Sequence, residues 1–452
     1  CSHMSTWDQT DEDPEPPNNP ARNIRIYSVL KEAVLQRKPV LKMLFAKYGR
    51  KSLSDYISTY KETNFKFNAR KEEFLKTFEE EAALRLGPVI AKSASEQLQH
   101  FYFVSTADHH GPICAPDFIN SNLATAAGNL DLPFFKNIIV LSCANISLNN
   151  FSFQRGLVFH NFAKEKINTH RLSFLPSNAH SCTVYNFRSY KSPEINKIKD
   201  SLKNKTNNGS LQKKHADYLD FLIDEIYNQP EILDCSNYSD QITKTNLKLW
   251  KKFFGDHADC PNLVYLEQEN IVSRLLIKYH LFNSTIINDI VFNKTFTQLI
   301  EKYFSDDISA TYLFWALPKN SKFRQKLIKK NNFLVSEDGQ YQIELKPEII
   351  ATALKNKELI PSLLMNFIIL SFYYGVKCLG GPFQIHYLTK MKTLFLNVLR
   401  GTNSNDSVTI ETCKSTQADQ LCCDFYLSFL QMQNKQLIPA TGLDIILYNK
   451  EN

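Results

Sequence analysis

The chain has 452 residues, enough for two or three domains around a large buried core. Its 43% hydrophobic and 22% charged content excludes an intrinsically disordered chain and a fibrous repeat. A net charge of +7, from 53 basic and 46 acidic side chains, is too dilute for a dedicated nucleic-acid binder.

Residues 1–23 carry Asp8, Asp11, Glu12, Asp13 and Glu15 among four prolines, which predicts a disordered acidic tail. Cys1-Ser2-His3 before Met4 reads as a vector scar. From residue 25 to 87, apolar side chains recur at helical spacing, as in Phe74, Phe78, Ala82 and Leu86. These helices are expected to pack against, or lead into, the main domain. Residues 24–190 then hold a helical lead-in and the first part of an α/β core. Phe101 to Ser105 and Lys136 to Ser142 read as strands buried on both faces, with a helix near 118–129 between them. That order is a βαβ unit and predicts a parallel sheet. Residues 154–160 and 171–175 read as a hairpin or as two further short strands, and 182–187 as another strand. Residues 191–256 are charged and helical, a helical insertion. Residues 257–452 hold the remainder of the core and a C-terminal α/β region, with a strand at 262–266, a hairpin across 333–345 and a helix at 384–399.

Residues 359–376 contain no charge but include Pro361, Ser362, Asn366, Ser371 and Gly375, which favours a buried core helix over a membrane span. The ten cysteines form no CxxC pair and no zinc-site spacing, so reduced thiols are expected. With no signal peptide the expected compartment is the cytoplasm, with no membrane and no nucleic acid as partner.

The densest chemistry lies at residues 106–116, directly after the first buried strand. Ligands of open parallel sheets bind there, at the carboxyl ends of strands, facing helix N-termini. Asp108, His109 and His110 are the catalytic candidates, as anion contacts or proton carriers near neutral pH. Thr106 and Gly111 would approach the ligand with them. Asn120 and Asn122, two apart on the next helix, cannot both face it. Asn145 follows the second strand beside Cys143. His160, Arg155 and His180 are weaker candidates. Far downstream, Gly380-Gly381-Pro382 opens a helix that carries Gln384, a close-approach loop in a glycine-poor chain.

Together these motifs resemble the cysteine-adding enzymes of bacillithiol biosynthesis. Thr106, Gly111 and Pro116 match the Thr, Gly and Pro of that family's signature loop. Gly380-Gly381-Pro382 with Gln384 and Tyr387 resembles its Gly-Gly-Pro-x-Glu-x-x-Tyr, and Leu359-Ile360-Pro361 its Leu-Leu-Pro. Asp108 and His109 stand where the family has a Gln pair, Asn122 where it has Lys, and residues 144–147 where it has an acidic run. No long C-terminal coiled coil is evident. The resemblance implies an α/β fold with a Rossmann-like parallel sheet core, helical insertions and a helical N-terminal region. It implies a ligase or transferase that joins an amino acid or thiol-containing group to an amine substrate. A nucleotide (ATP or ADP) is the implied cofactor, a small molecule the partner, and a homodimer a compatible assembly. Two readings compete with it. Asp108-His109-His110 resembles the motif of metal-dependent phosphoesterases, although no further ligand loop precedes residue 101. The lost acidic run instead suits a non-catalytic binding protein on a degenerate enzyme scaffold.

Overall fold

The computed structural model describes residues 20–63, 65–179, 181–255, 259–304, 311–319, 321–422, 430–433 and 436–448. The acidic run, the residues before Met4 and His180 lie outside them. The chain divides into two units, residues 1–51 and 52–452. The first consists of the helices Pro20–Arg37 and Pro39–Tyr48. The earlier helix starts inside the segment expected to be a tail. Among the described residues no helix is long and apolar enough to cross a membrane.

The second unit is mixed α/β. In chain order its strands are β1 (Phe103–Ser105), β2 (Asn137–Ser142), β3 (Gly156–Ala163), β4 (Lys166–Ser173), β5 (Asn262–Glu267), β6 (Phe314–Ala316), β7 (Gln325–Lys330), β8 (Phe333–Ser336), β9 (Gln342–Glu344), β10 (Leu359–Pro361), β11 (Lys377–Leu379), β12 (Leu430–Gln433) and β13 (Gln436–Pro439). Four of them form a parallel sheet in the order β11-β1-β2-β5. The helix Pro116–Ala127 connects β1 to β2, completing the expected βαβ unit. β6 to β10 form a second, antiparallel sheet in the order β10-β6-β7-β8-β9, inserted between β5 and β11. β3 and β4 pair as a hairpin over their full length.

The parallel sheet is buried on both faces, so its strands read as continuous apolar runs rather than alternating ones. Val104, Ile139, Leu141, Val264 and Leu266 join one core with Phe74, Phe78 and Leu98 from the helices Asn68–Leu86 and Pro88–His100. Each such side chain contributes roughly 1.5–3 kcal/mol when fully buried. Helix starts follow local chemistry. Proline occupies the first turn at Pro88, Pro116, Pro347 and Pro382, where its missing N–H costs nothing. Ser362 caps the helix Leu363–Phe367 by accepting from Met365 N at 3.2 Å. The uncharged stretch 359–376 is therefore not one helix. It begins as β10, turns helical at Leu363, and passes through a π-helical turn over Ile368–Tyr373. Residues 182–187 make only a single bridge, Thr183 to Ser147, instead of a strand. The eight described cysteines are free.

The strand order places a reversal between β1 and β11. The chain leaves β1 towards β2 and β5, then returns to the other side of β1. Loops at the carboxyl ends of β1 and β11 therefore diverge and leave a crevice there.

Gly111 illustrates how tightly this edge is packed. A Cβ on it would stand 2.7 Å from Gln154 Cγ and 3.1 Å from Gln154 Cα. Gly111→Ala is expected to lower stability by roughly 1–3 kcal/mol through overpacking, read as a drop in Tm by calorimetry.

Candidate active site

A cavity of about 800 Å³ occupies the crevice at the ends of β1 and β11, within the size range of small-molecule sites. Thr106, Ala107 and His109 line it from the loop after β1, and Cys143 and Asn145 from the loop after β2. Gln268 and Glu269 line it from the start of the helix that follows β5. Trp315 comes from β6, and Arg324 is the residue just ahead of β7. Asn366 comes from the helix after β10, and Gly381, Gln384 and Tyr387 from the start of the helix after β11. Phe151 and Phe383, 73% and 84% exposed, stand at its rim.

The loop after β1 stays extended past the strand, bridged to β2 through His109 and Cys143. Successive side chains of extended backbone point to opposite sides. His109 therefore reaches the cavity, whereas Asp108 and His110 turn into the protein. His110 is fully buried, with Nδ1 2.6 Å from Ser142 Oγ and Nε2 2.9 Å from Ser239 Oγ. It ties the loop to β2 and to the helix Tyr238–Phe254. Asp108 accepts from Asn122 Nδ2 at 3.1 Å, and burial pushes its carboxyl up to about 7. Asp108, His110, Gly111, Asn122 and Gly380 therefore do not line the cavity; they shape it from behind. A Cβ on Gly380 would occupy the place of the Gln384 amide, 2.1–2.6 Å away. That amide donates to Thr106 Oγ1 at 2.8 Å, joining the two loops across the crevice. The expected cavity residues that do face it are Thr106, His109, Asn145, Gly381 and Gln384. Among the described residues no three His, Cys, Asp or Glu side chains converge as a metal site. His160 pairs with Asp444 at 2.7 Å, and neither it nor Arg155 lines the cavity.

His109 Nδ1 lies 2.7 Å from Asn150 Oδ1, and its ring meets Phe118 and Phe151 edge-on. The Asn150 oxygen accepts, which assigns the proton to Nδ1 and the lone pair to Nε2. Burial pulls this imidazole below its usual pKa, so it is neutral at pH 7.

Glu269 is a cavity residue that the sequence reading does not single out. Glu269 has no exposed surface, yet its oxygens accept from Ala144 N at 3.0 Å and Asn145 N at 3.2 Å. The Cys143 thiol donates to the same carboxyl at 3.4 Å. Burial outweighs these bonds and raises the Glu269 carboxyl to about 7. Burial and then the neighbouring Glu269 push the Cys143 thiol well above its ordinary value, so it rests as a thiol. The Arg324 guanidinium stacks on Trp315, 4.3 Å from the ring centre. Its Nη1 donates to the Asn145 carbonyl and, at 2.6 Å, to Asn145 Oδ1. Among the described residues its other N–H groups have no partner. Gln268 Oε1 and Asn366 Oδ1 are buried without a hydrogen bond among the described residues. Such a group costs roughly 1–3 kcal/mol unless something else satisfies it.

A search of protein-family models and of curated proteins found no match to this chain.

Glu269 has a defined pH signature. Its pKa is raised on folding, so its contribution to stability is full below the unfolded value of 4.5 and is lost as pH rises through about 7. The stability of the wild type minus that of Glu269→Gln is expected to fall by up to about 3 kcal/mol over that window. Chemical denaturation at a series of pH values reads this difference directly.

Proposed function

We propose that this chain is an enzyme with a Rossmann-like ligand site, a transferase or ligase acting on an amine substrate with a nucleotide bound beside it. The observation that carries this reading is the meeting, in one cavity, of an anion-binding side and a proton-transfer side. The first turns of the helices Pro116–Ala127 and Pro382–Gly401 both line it. Their positive dipole ends favour phosphate. Arg324 adds a cation with spare donors. Phe151, Phe383 and Trp315 offer flat faces to an aromatic base. The unpaired amide oxygens of Gln268 and Asn366 can accept hydrogen bonds from its edge or from the second substrate. Bound there, a nucleoside triphosphate would supply an activated phosphoryl group.

The protein's own groups cover the proton movements. Neutral His109 offers Nε2 to take a proton from an attacking amine. Glu269, half-protonated near pH 7, gives a proton to a departing oxygen or accepts one. Burial favours the uncharged form of both groups, lowering His109 and raising Glu269 to about 7, so a neutral base and a protonatable acid stand in the same cavity. The metal-dependent hydrolase reading has less support, because Asp108, His109 and His110 each bond to a different partner.

Titration calorimetry with ADP tests the anion side. The wild type is expected to bind, and Arg324→Ala to weaken binding by roughly 1.5–3 kcal/mol, ten- to hundredfold, through loss of a charged hydrogen bond. Equal affinity in both proteins, or none in the wild type, contradicts the reading. Asn366→Leu is expected to raise the Tm, because it removes an unpaired buried amide, while weakening ligand binding. A lowered Tm would mean that the amide is structural.

A further inference from the structure

Residues 20–51 carry a feature that the catalytic reading does not use. The two helices of this unit have almost no core of their own. Of their apolar side chains only Leu44 is buried, while Ile24, Tyr27, Val29 and Leu30 are each at least 60% exposed. At 3.6 residues per turn, apolar positions cover about two thirds of the circumference of the helix Pro20–Arg37. Arg25, Ser28, Glu32 and Gln36 hold the narrow remainder. Arg22, Lys31 and Arg37 stand within the apolar arc, where long aliphatic stems carry the charges outward. Nine Lys and Arg against the single acid Glu32 give residues 20–51 a net charge of +8, more than the +7 of the whole chain.

We propose that residues 20–51 bind an anionic phospholipid surface, with the helices lying in the plane of the interface. An exposed broad apolar arc with long-stemmed cations set into it fits the boundary between acyl chains and acidic headgroups. The other possible occupants fit less well. A second copy would bring +8 against +8. A nucleic acid would leave Ile24, Val29 and Leu30 in water. A groove on an acidic protein takes a narrower apolar stripe.

Flotation of the full chain with vesicles tests this. Vesicles of equal parts phosphatidylcholine and phosphatidylglycerol are expected to carry the protein upward at low salt, with affinity at least about tenfold above pure phosphatidylcholine and falling with added salt. The triple change Ile24→Asp, Tyr27→Asp, Leu30→Asp is expected to abolish flotation. Because that variant could lose its helices, Arg22→Ser with Arg25→Ser and Lys31→Ser provides a second test and is expected to weaken flotation several-fold. Four results overturn the proposal. One is no flotation on the anionic vesicles; another is equal binding to both vesicle types. The third is a dimer, seen by light scattering, that the triple change converts to monomer. The fourth is duplex DNA displacing the protein from the vesicles.

Discussion

The cavity depends on one buried carboxyl group. Glu269 sits in the first turn of the helix after β5 without exposed surface, and its oxygens hold two backbone N–H groups of the loop after β2, those of Ala144 and Asn145. An isolated carboxylate in such a place is strongly disfavoured, so it either takes up a proton or keeps donors around it. Here it does both: two backbone donors and a thiol surround it, and its pKa is raised. The constraint passes outward from there. Fixing Ala144 and Asn145 fixes the Asn145 carbonyl and amide oxygens, and these hold Arg324, just ahead of β7. Arg324 in turn lies against Trp315. The parallel sheet and the antiparallel sheet thus meet through a chain of hydrogen bonds that begins at one glutamate.

Topology explains why such distant residues meet. β1 is central, with β2 on one side and β11 on the other, so the loops after β1, β2, β5 and β11 end on the same edge. The segment between β5 and β11 is long enough to contain a whole second sheet. That sheet closes the cavity with a cation where the first sheet supplies a carboxyl. The Thr106–Gln384 hydrogen bond across the reversal point keeps the two diverging loops at a fixed spacing.

Much of the first sheet was legible in the sequence. β1, the helix after it, and β2 announce themselves as short unbroken apolar runs around a polar loop, the pattern of strands buried on both faces. The position of the site at their carboxyl ends followed from that. The roles within the loop did not. Asp108, His109 and His110 look equivalent as a string, yet period-two alternation of the extended backbone sends only His109 to the cavity. Gly111 and Gly380 look like ligand approaches in the sequence, but each makes room for a glutamine side chain. Glu269 has a sequence signal, since an acid in the first turn of the helix after β5 stands at the same sheet edge as the loops after β1 and β2. Arg324 gave no such signal, because nothing local marks a basic residue ahead of β7 as facing another sheet. The uncharged stretch from 359 reads as one helix but begins as a strand. Its first three residues pair with β6, a long-range choice that local hydrophobicity does not encode.

In the proposed function one cavity, at the reversal between β1 and β11, joins an anion clamp to a proton-transfer pair. A crystal structure of the chain grown with ADP tests it most directly. The account predicts phosphate oxygens against the first turns of the helices Pro116–Ala127 and Pro382–Gly401, within hydrogen-bond reach of Arg324. Nucleotide bound elsewhere on the molecule, or phosphates turned away from Arg324, would contradict it.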